Sequence, residues 1–106
     1  MIDKDFFLGF IKVHILHHAS KDEIYGVEIL DELRRHGYSL SPGTLYPALH
    51  LLERRGYLKS RKEIVNGKVR KYYSITSDGL EMLEKSKMKI RELVDEVLGE
   101  NGGYEK

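Results

Sequence analysis

Between Ser39 and Lys71 this sequence places the side chains whose types and spacing could do chemistry. Read as a helix, at about 100° per residue, Leu45, Ala48, Leu49 and Leu52 fall on one face. Gly43, Tyr46, Pro47, His50 and Arg54 fall on the other. An idle helix surface usually carries Glu and Lys pairs. This one is small, aromatic and hydrogen-bonding at its start and cationic at its end, a face suited to insertion into a groove. Ser41, Thr44, Tyr46 and the backbone amide at Gly43 can donate to phosphates. His50 and Arg54 lie further along, where an arginine can read guanine or neutralise phosphate. Lys62, Lys68, Arg70 and Lys71 form a second group of cations, with Tyr72 as an aromatic contact candidate beside them.

Charge distribution points the same way. Residues 34–72 carry a net +8, residues 1–33 a net −4 and residues 73–106 a net −3, so the total of +1 conceals a polarised molecule. A positive middle between acidic ends is an electrostatic footprint for a polyanion. With no cysteine in the chain, disulfides, cysteine zinc fingers and thiol nucleophiles are excluded. No phosphate-binding glycine loop, HExxH or nucleophile elbow occurs, so no catalytic residue, no cofactor and no enzyme activity is expected. His14, His17 and His18 have spacing that could bring two imidazoles together, but no carboxylate lies close in sequence; they read as complements to a helix C-terminus, and no metal is assigned. The start of the chain is acidic, at Asp3 and Asp5, and no apolar run reaches membrane-spanning length, which predicts a cytoplasmic protein with no membrane partner.

The elements that must hold these groups follow from periodicity. A chain of 106 residues makes one domain. Residues 3–18 predict a helix, with Phe6, Phe7, Phe10, Val13 and Leu16 as its stripe and Leu8, Ile11 and Ile15 on a second face. Residues 19–24 read as a polar connection. Tyr25-Gly26 then leads into a helix with Val27, Ile29, Leu30 and Leu33 inward and Gly37 as its stop. The next helix begins either at Ser41-Pro42, as N-cap and first position, or nearer Thr44, because Pro47 removes a backbone hydrogen bond; it ends at Gly56 after Arg54 and Arg55. From Tyr57 the period becomes two, and Asn66-Gly67 between the alternating runs is a hairpin signal. Thr76 or Ser77 caps a last helix running to about Leu98, and residues 100–106 read as a frayed tail.

That order gives the expected fold class: mainly α with a small β-hairpin, a winged helix-turn-helix domain over residues 1–76 plus a C-terminal dimerisation helix over 77–99. In the last helix Leu83, Ile90 and Val97 recur every seven residues, widened by Leu80, Leu93 and Val94. Together with the surplus apolar surface of Phe6, Phe7 and Phe10, this predicts a two-fold interface between copies. A dimer would meet duplex half-sites roughly 34 Å apart. Protein docking and RNA binding are the rival uses of such a fold, and the +8 segment speaks against the first.

The strings SPGTLYPALHLLERRGYLKS and RKYYSITSDG, with YGVEIL upstream, closely resemble the PadR-like transcriptional regulators, over roughly residues 8–83. That resemblance implies a winged-helix repressor acting as a homodimer on double-stranded DNA. It makes Ser41 to Arg55 the recognition helix with its lead-in and Tyr57 to Ile75 the wing. Tyr25 and Gly26 match the family's Tyr-Gly pair. It also implies a flat aromatic effector between the terminal helices of the dimer, with Phe6, Phe7 and Phe10 as candidates to hold it.

Overall fold

The computed structural model describes residues 3–99; the tail expected at residues 100–106 lies outside them. Among the described residues the elements are α1 (Leu8–Lys21), β1 (Ile24–Tyr25), α2 (Gly26–Arg35), α3 (Pro42–Arg54), β2 (Leu58–Val65), β3 (Lys68–Ile75) and α4 (Ser77–Val97). The strands form one antiparallel sheet in the order β1-β3-β2, which completes the winged helix-turn-helix.

The first helix departs from expectation at both ends and in phase. The Asp3 carboxylate accepts the amides of Asp5 (3.0 Å) and Phe6 (3.3 Å), closing a separate turn, so neither acid lies in the first turn of α1. The helix then continues past His18 to Lys21. Its buried side is Ile11, Ile15, Leu16 and Ala19, while Phe6 and Phe10 are exposed and Phe7 is half-buried. The i, i+4 row Ile11–Ile15–Ala19 sets the core face, and the aromatic stripe lies off it. The expected polar connection over residues 19–24 instead holds the last turn of α1 and the first residue of β1. Ile24 is buried opposite Tyr73, and Tyr25 pairs with Tyr72.

In α2, Ile29, Leu30 and Leu33 are buried as expected, but Val27 is exposed. The helix ends where the Tyr38 amide reaches the Leu33 carbonyl (3.2 Å) and the Gly37 amide the Arg34 carbonyl (3.0 Å). With Gly37 at φ +94°, this satisfies carbonyls the helix would otherwise leave open. Arg34 then donates twice to the Leu40 carbonyl (3.1 and 2.8 Å), fixing the turn into α3. Ser41 has extended N-cap backbone and Pro42 is the first helical residue, although the Ser41 hydroxyl makes no capping bond. The helix runs unbroken through Pro47, which lacks the N–H that would otherwise bond the Gly43 carbonyl. Leu45, Ala48, Leu49 and Leu52 are buried, as their spacing predicts.

The wing follows the expected register. Asn66 (φ 54°) and Gly67 (φ 78°) make the two-residue turn, and pairing runs from Val65 with Lys68 to Leu58 with Ile75. Tyr73 is buried and Tyr57, just ahead of β2, packs against the core. At the exit, the Thr76 hydroxyl donates to the Gly56 carbonyl (2.5 Å) and accepts the Gly79 amide (3.0 Å), capping α4. Gly79 lies against the Tyr57 carbonyl with no room for a Cβ. Leu83, expected at the dimer interface, is instead 3% exposed within this chain's own core. Leu80, Ile90, Leu93, Val94 and Val97 are all exposed. No described helix is long and apolar enough to cross a membrane.

Candidate nucleic-acid interface

The exposed face of α3 and the inner side of the wing open onto one cleft. Tyr46 and His50 line it from α3, Lys68, Val69, Arg70 and Lys71 from the wing, and Tyr25 and Gly26 from its floor. Its volume is about 670 Å³. His50 and Arg54 are exposed and point away from the interior, as do Ser41, Gly43, Pro47 and Arg55; Thr44 is half-buried. Gly43, Thr44 and Pro47 border a second, smaller depression shared with Lys12 of α1. Lys12 lies outside the charge-dense segment, so only the fold reveals it beside the start of α3.

Two glycines in this region have different causes. A Cβ on Gly26 would fall 2.7 Å from Cζ of Tyr46, so the ring of Tyr46 packs directly on α2. That contact ties the Tyr-Gly pair that opens α2 to the Leu-Tyr pair of α3. At Gly43 a Cβ would meet nothing closer than the Ser41 hydroxyl, at 3.6 Å. The chain itself does not demand a glycine there, and the bare backbone is left open to an approaching group.

The cations divide into engaged and free. Arg61 grips Glu23 with two bonds (2.8 and 2.7 Å), bonds Glu63 (2.7 Å) and lies 4.6 Å above the Tyr72 ring. Those carboxylates raise its pKa further, and in return its guanidinium holds Glu23 below the usual carboxylate range. Arg35 pairs with Glu32, and Arg34 is spent on Leu40. Lys71 sits 3.2 Å from Glu53, whose carboxyl is held low by the Ser60 hydroxyl (2.5 Å) and by that ammonium. The +8 segment is therefore partly neutralised, in part by Glu23 from outside it, which a count along the chain cannot show.

Arg54, Arg55, Lys59, Lys62, Lys68 and Arg70 have no ion pair among the described residues. Arg70 lies 4.1 Å over the Tyr25 ring and donates to the Tyr72 hydroxyl (3.4 Å). Tyr25 and Tyr72 meet edge to face at 5.6 Å. The two tyrosines thus aim and stack the wing arginines.

The phenylalanines do not line the groove between α1 and α4. Phe6, Phe7 and Phe10 pack on one another, and Phe7 on Tyr38 at 6.4 Å. That groove is walled by Gly9, Val13, Met82, Ile90 and Leu93.

Comparison with known proteins agrees with the arrangement. Residues 15–85 match the family described as "Transcriptional regulator PadR-like family". Transcriptional regulator Rv3488 of Mycobacterium tuberculosis is 44% identical over 91% of this chain and 90% of its own length. A PadR family transcriptional regulator from Eggerthella lenta superposes with a TM-score of 0.79 at 30% identity, covering 88% of this chain and 82% of that one. A PadR family transcription regulator from Clostridium difficile gives 0.72 at 32% identity, covering 85% and 99%. With four of the ten cations of residues 34–72 engaged and six free around the exposed face of α3, and relatives that regulate transcription rather than catalyse, this chain belongs to the PadR-like family of transcriptional regulators.

Proposed function

We propose that the protein is a cytoplasmic repressor that acts as a homodimer, each copy laying α3 into the major groove of an operator and its wing along the flanking backbone or minor groove, so that a promoter is occluded. Residues 1–76 read the DNA and α4 pairs the copies. Ser41, Thr44, Tyr46 and the open backbone at Gly43 hold phosphates, as does Arg55, while Pro47 presents that bend of the helix to the duplex. His50 and Arg54 meet base edges. Lys62, Lys68 and Arg70 neutralise flanking phosphates, with Tyr25 and Tyr72 orienting the arginine and Glu53 holding Lys71 at the wall. The observation that supports this best is the cleft onto which Tyr46 and His50 of α3 and the unpaired Lys68 and Arg70 of the wing open together.

The dimer reading rests on the last helix. Beyond Leu83, α4 runs to Val97 without one buried residue while carrying Ile90, Leu93, Val94 and Val97. A flat aromatic effector would enter at the α1–α4 groove, against Val13, Met82 and Leu93, rather than on the phenylalanine cluster.

Selection of bound fragments from random duplex DNA, with a parallel titration against RNA, tests the reading. A palindrome with half-sites spaced by one helical turn, roughly 34 Å, is expected. A lone half-site removes the dimer, and equal affinity for RNA removes the operator.

A further inference from the structure

Three histidines outside that cleft meet where α1 passes the end of α2. His14 and His18 are one turn apart on α1, and His36 is the C-cap residue of α2. Each offers a ring nitrogen, and these nitrogens all lie within 4.8 Å of one another. The rings of His14 and His36 have centroids 4.7 Å apart, and His14 stacks on His18 at 6.4 Å. Glu32 stands at the edge of the group, a carboxylate oxygen 3.4 Å from Nε2 of His36. Nothing in the family likeness or the cleft accounts for this grouping.

We propose that His14, His18 and His36 hold one divalent transition-metal ion of the zinc class, with Glu32 or water completing the set. Imidazole nitrogen is a ligand that zinc, copper and nickel accept, and three histidines with a fourth oxygen ligand make a tetrahedral zinc site. Bonds of ~2.0 Å place tetrahedral ligand atoms ~3.3 Å apart, so the rings draw in by at most about 1.5 Å. His14 and His18 are half-buried and His36 is exposed, so side-chain rotation suffices. Two helical ligands at i, i+4 are pre-aligned on one face. The third comes from the turn that Gly37 and Arg34 fix ahead of α3. A bound ion would therefore clamp α1 to the helix-turn-helix one residue before its bend.

Calorimetric titration of the untagged, chelator-stripped full chain with ZnCl2, repeated with NiCl2, tests the site. We expect one ion per chain. Loss of even an outer partner lowers metal affinity ~10–100-fold, so His14→Ala and His36→Ala should each weaken binding at least tenfold. His36→Gln, which keeps a polar cap at an exposed position, should do the same. His17→Ala, whose ring lies outside the group, should leave binding unchanged. Zinc should raise the unfolding midpoint of the wild type and not that of His36→Gln. No saturable binding below millimolar metal would overturn the proposal. So would a His36→Gln variant that binds as the wild type does, or a loss with His17→Ala equal to that with His36→Ala.

Discussion

Arg61 stacks on Tyr72 of the wing and Arg70 on Tyr25 of β1, yet their surroundings give them different work. Arg61 is saturated by Glu23 and Glu63, so its charge is already answered within the chain. Arg70 has a tyrosine hydroxyl and a ring but no carboxylate within ion-pair distance among the described residues. Only the second is free to meet a phosphate. Each lost phosphate contact removes about 0.9 from the slope of log affinity against log salt. Lys68→Ala with Arg70→Ala should therefore weaken operator and random duplex alike and flatten that slope by up to about two. Arg61→Ala should leave the slope nearly unchanged while freeing Glu23, ahead of β1, from its tie across the sheet to β2. A salt series with labelled duplex measures both; an unaltered slope in the double variant would remove the wing contact. The sequence displays all ten cations of residues 34–72 equally, and only folding decides which ones meet a partner. His36 teaches the same lesson: seventeen residues of chain separate it from His18, so nothing local announces that they meet.

Elements were legible where local rules suffice. Asn66-Gly67 sets the hairpin register because both residues accept positive φ, and the stripe of α3 sets its buried face because four positions agree. The phase of α1 was not legible, since the helix offers two apolar faces, the phenylalanine stripe and the isoleucine row, and only packing decides which takes the core. Nor was β1, whose two residues make a strand only through the pairing Tyr72 and Tyr73 offer. The contact between elements most exposed to test is Tyr46 on Gly26. Gly26→Ala crowds the ring, and overpacking of that kind costs about 1–3 kcal/mol. Adding Tyr46→Ala should recover part of the loss, since contacting residues are not additive. Denaturant unfolding of the two single variants and the double reads this directly, and strict additivity would mean the ring and the glycine do not interact.

A second tie joins α3 to the wing through Glu53, held by Ser60 and Lys71. Its carboxyl is depressed below the ordinary 4.5 of a glutamate. The stability it contributes is therefore fully present above that value and is lost as pH falls through the folded value. Glu53→Gln should destabilise the protein by about 0.2–1 kcal/mol at neutral pH, the range of partly exposed pairs. The gap to the wild type should narrow in acid, as pH falls well below the folded value. Urea midpoints at the two pH values check the sign. A gap that persists in acid would assign the tie to packing rather than charge.

At the scale of the whole molecule, α4 is the element the single chain leaves unfinished. Its first half closes the core through Leu83, and its second half carries apolar residues into solvent. The described chain is 59 Å long and only 20 Å thick, an outline that matches a helix projecting from a small body. The same heptad thus serves two surfaces, and the two should separate by mutation. Leu83→Ala empties a packed site and should cost about 2–5 kcal/mol of folding stability. Ile90→Glu with Leu93→Glu changes exposed positions, so the fold should stand, while a charge in each copy's seam blocks pairing. Sedimentation equilibrium should then report monomers with a native circular-dichroism spectrum. Operator affinity should fall steeply because the second half-site no longer comes tethered to the first. If instead the double variant sediments as the wild type does, the far half of α4 is not the seam. Binding of two half-sites would then have to be organised elsewhere, with Phe6 and Phe10 of α1 as the remaining exposed apolar surface.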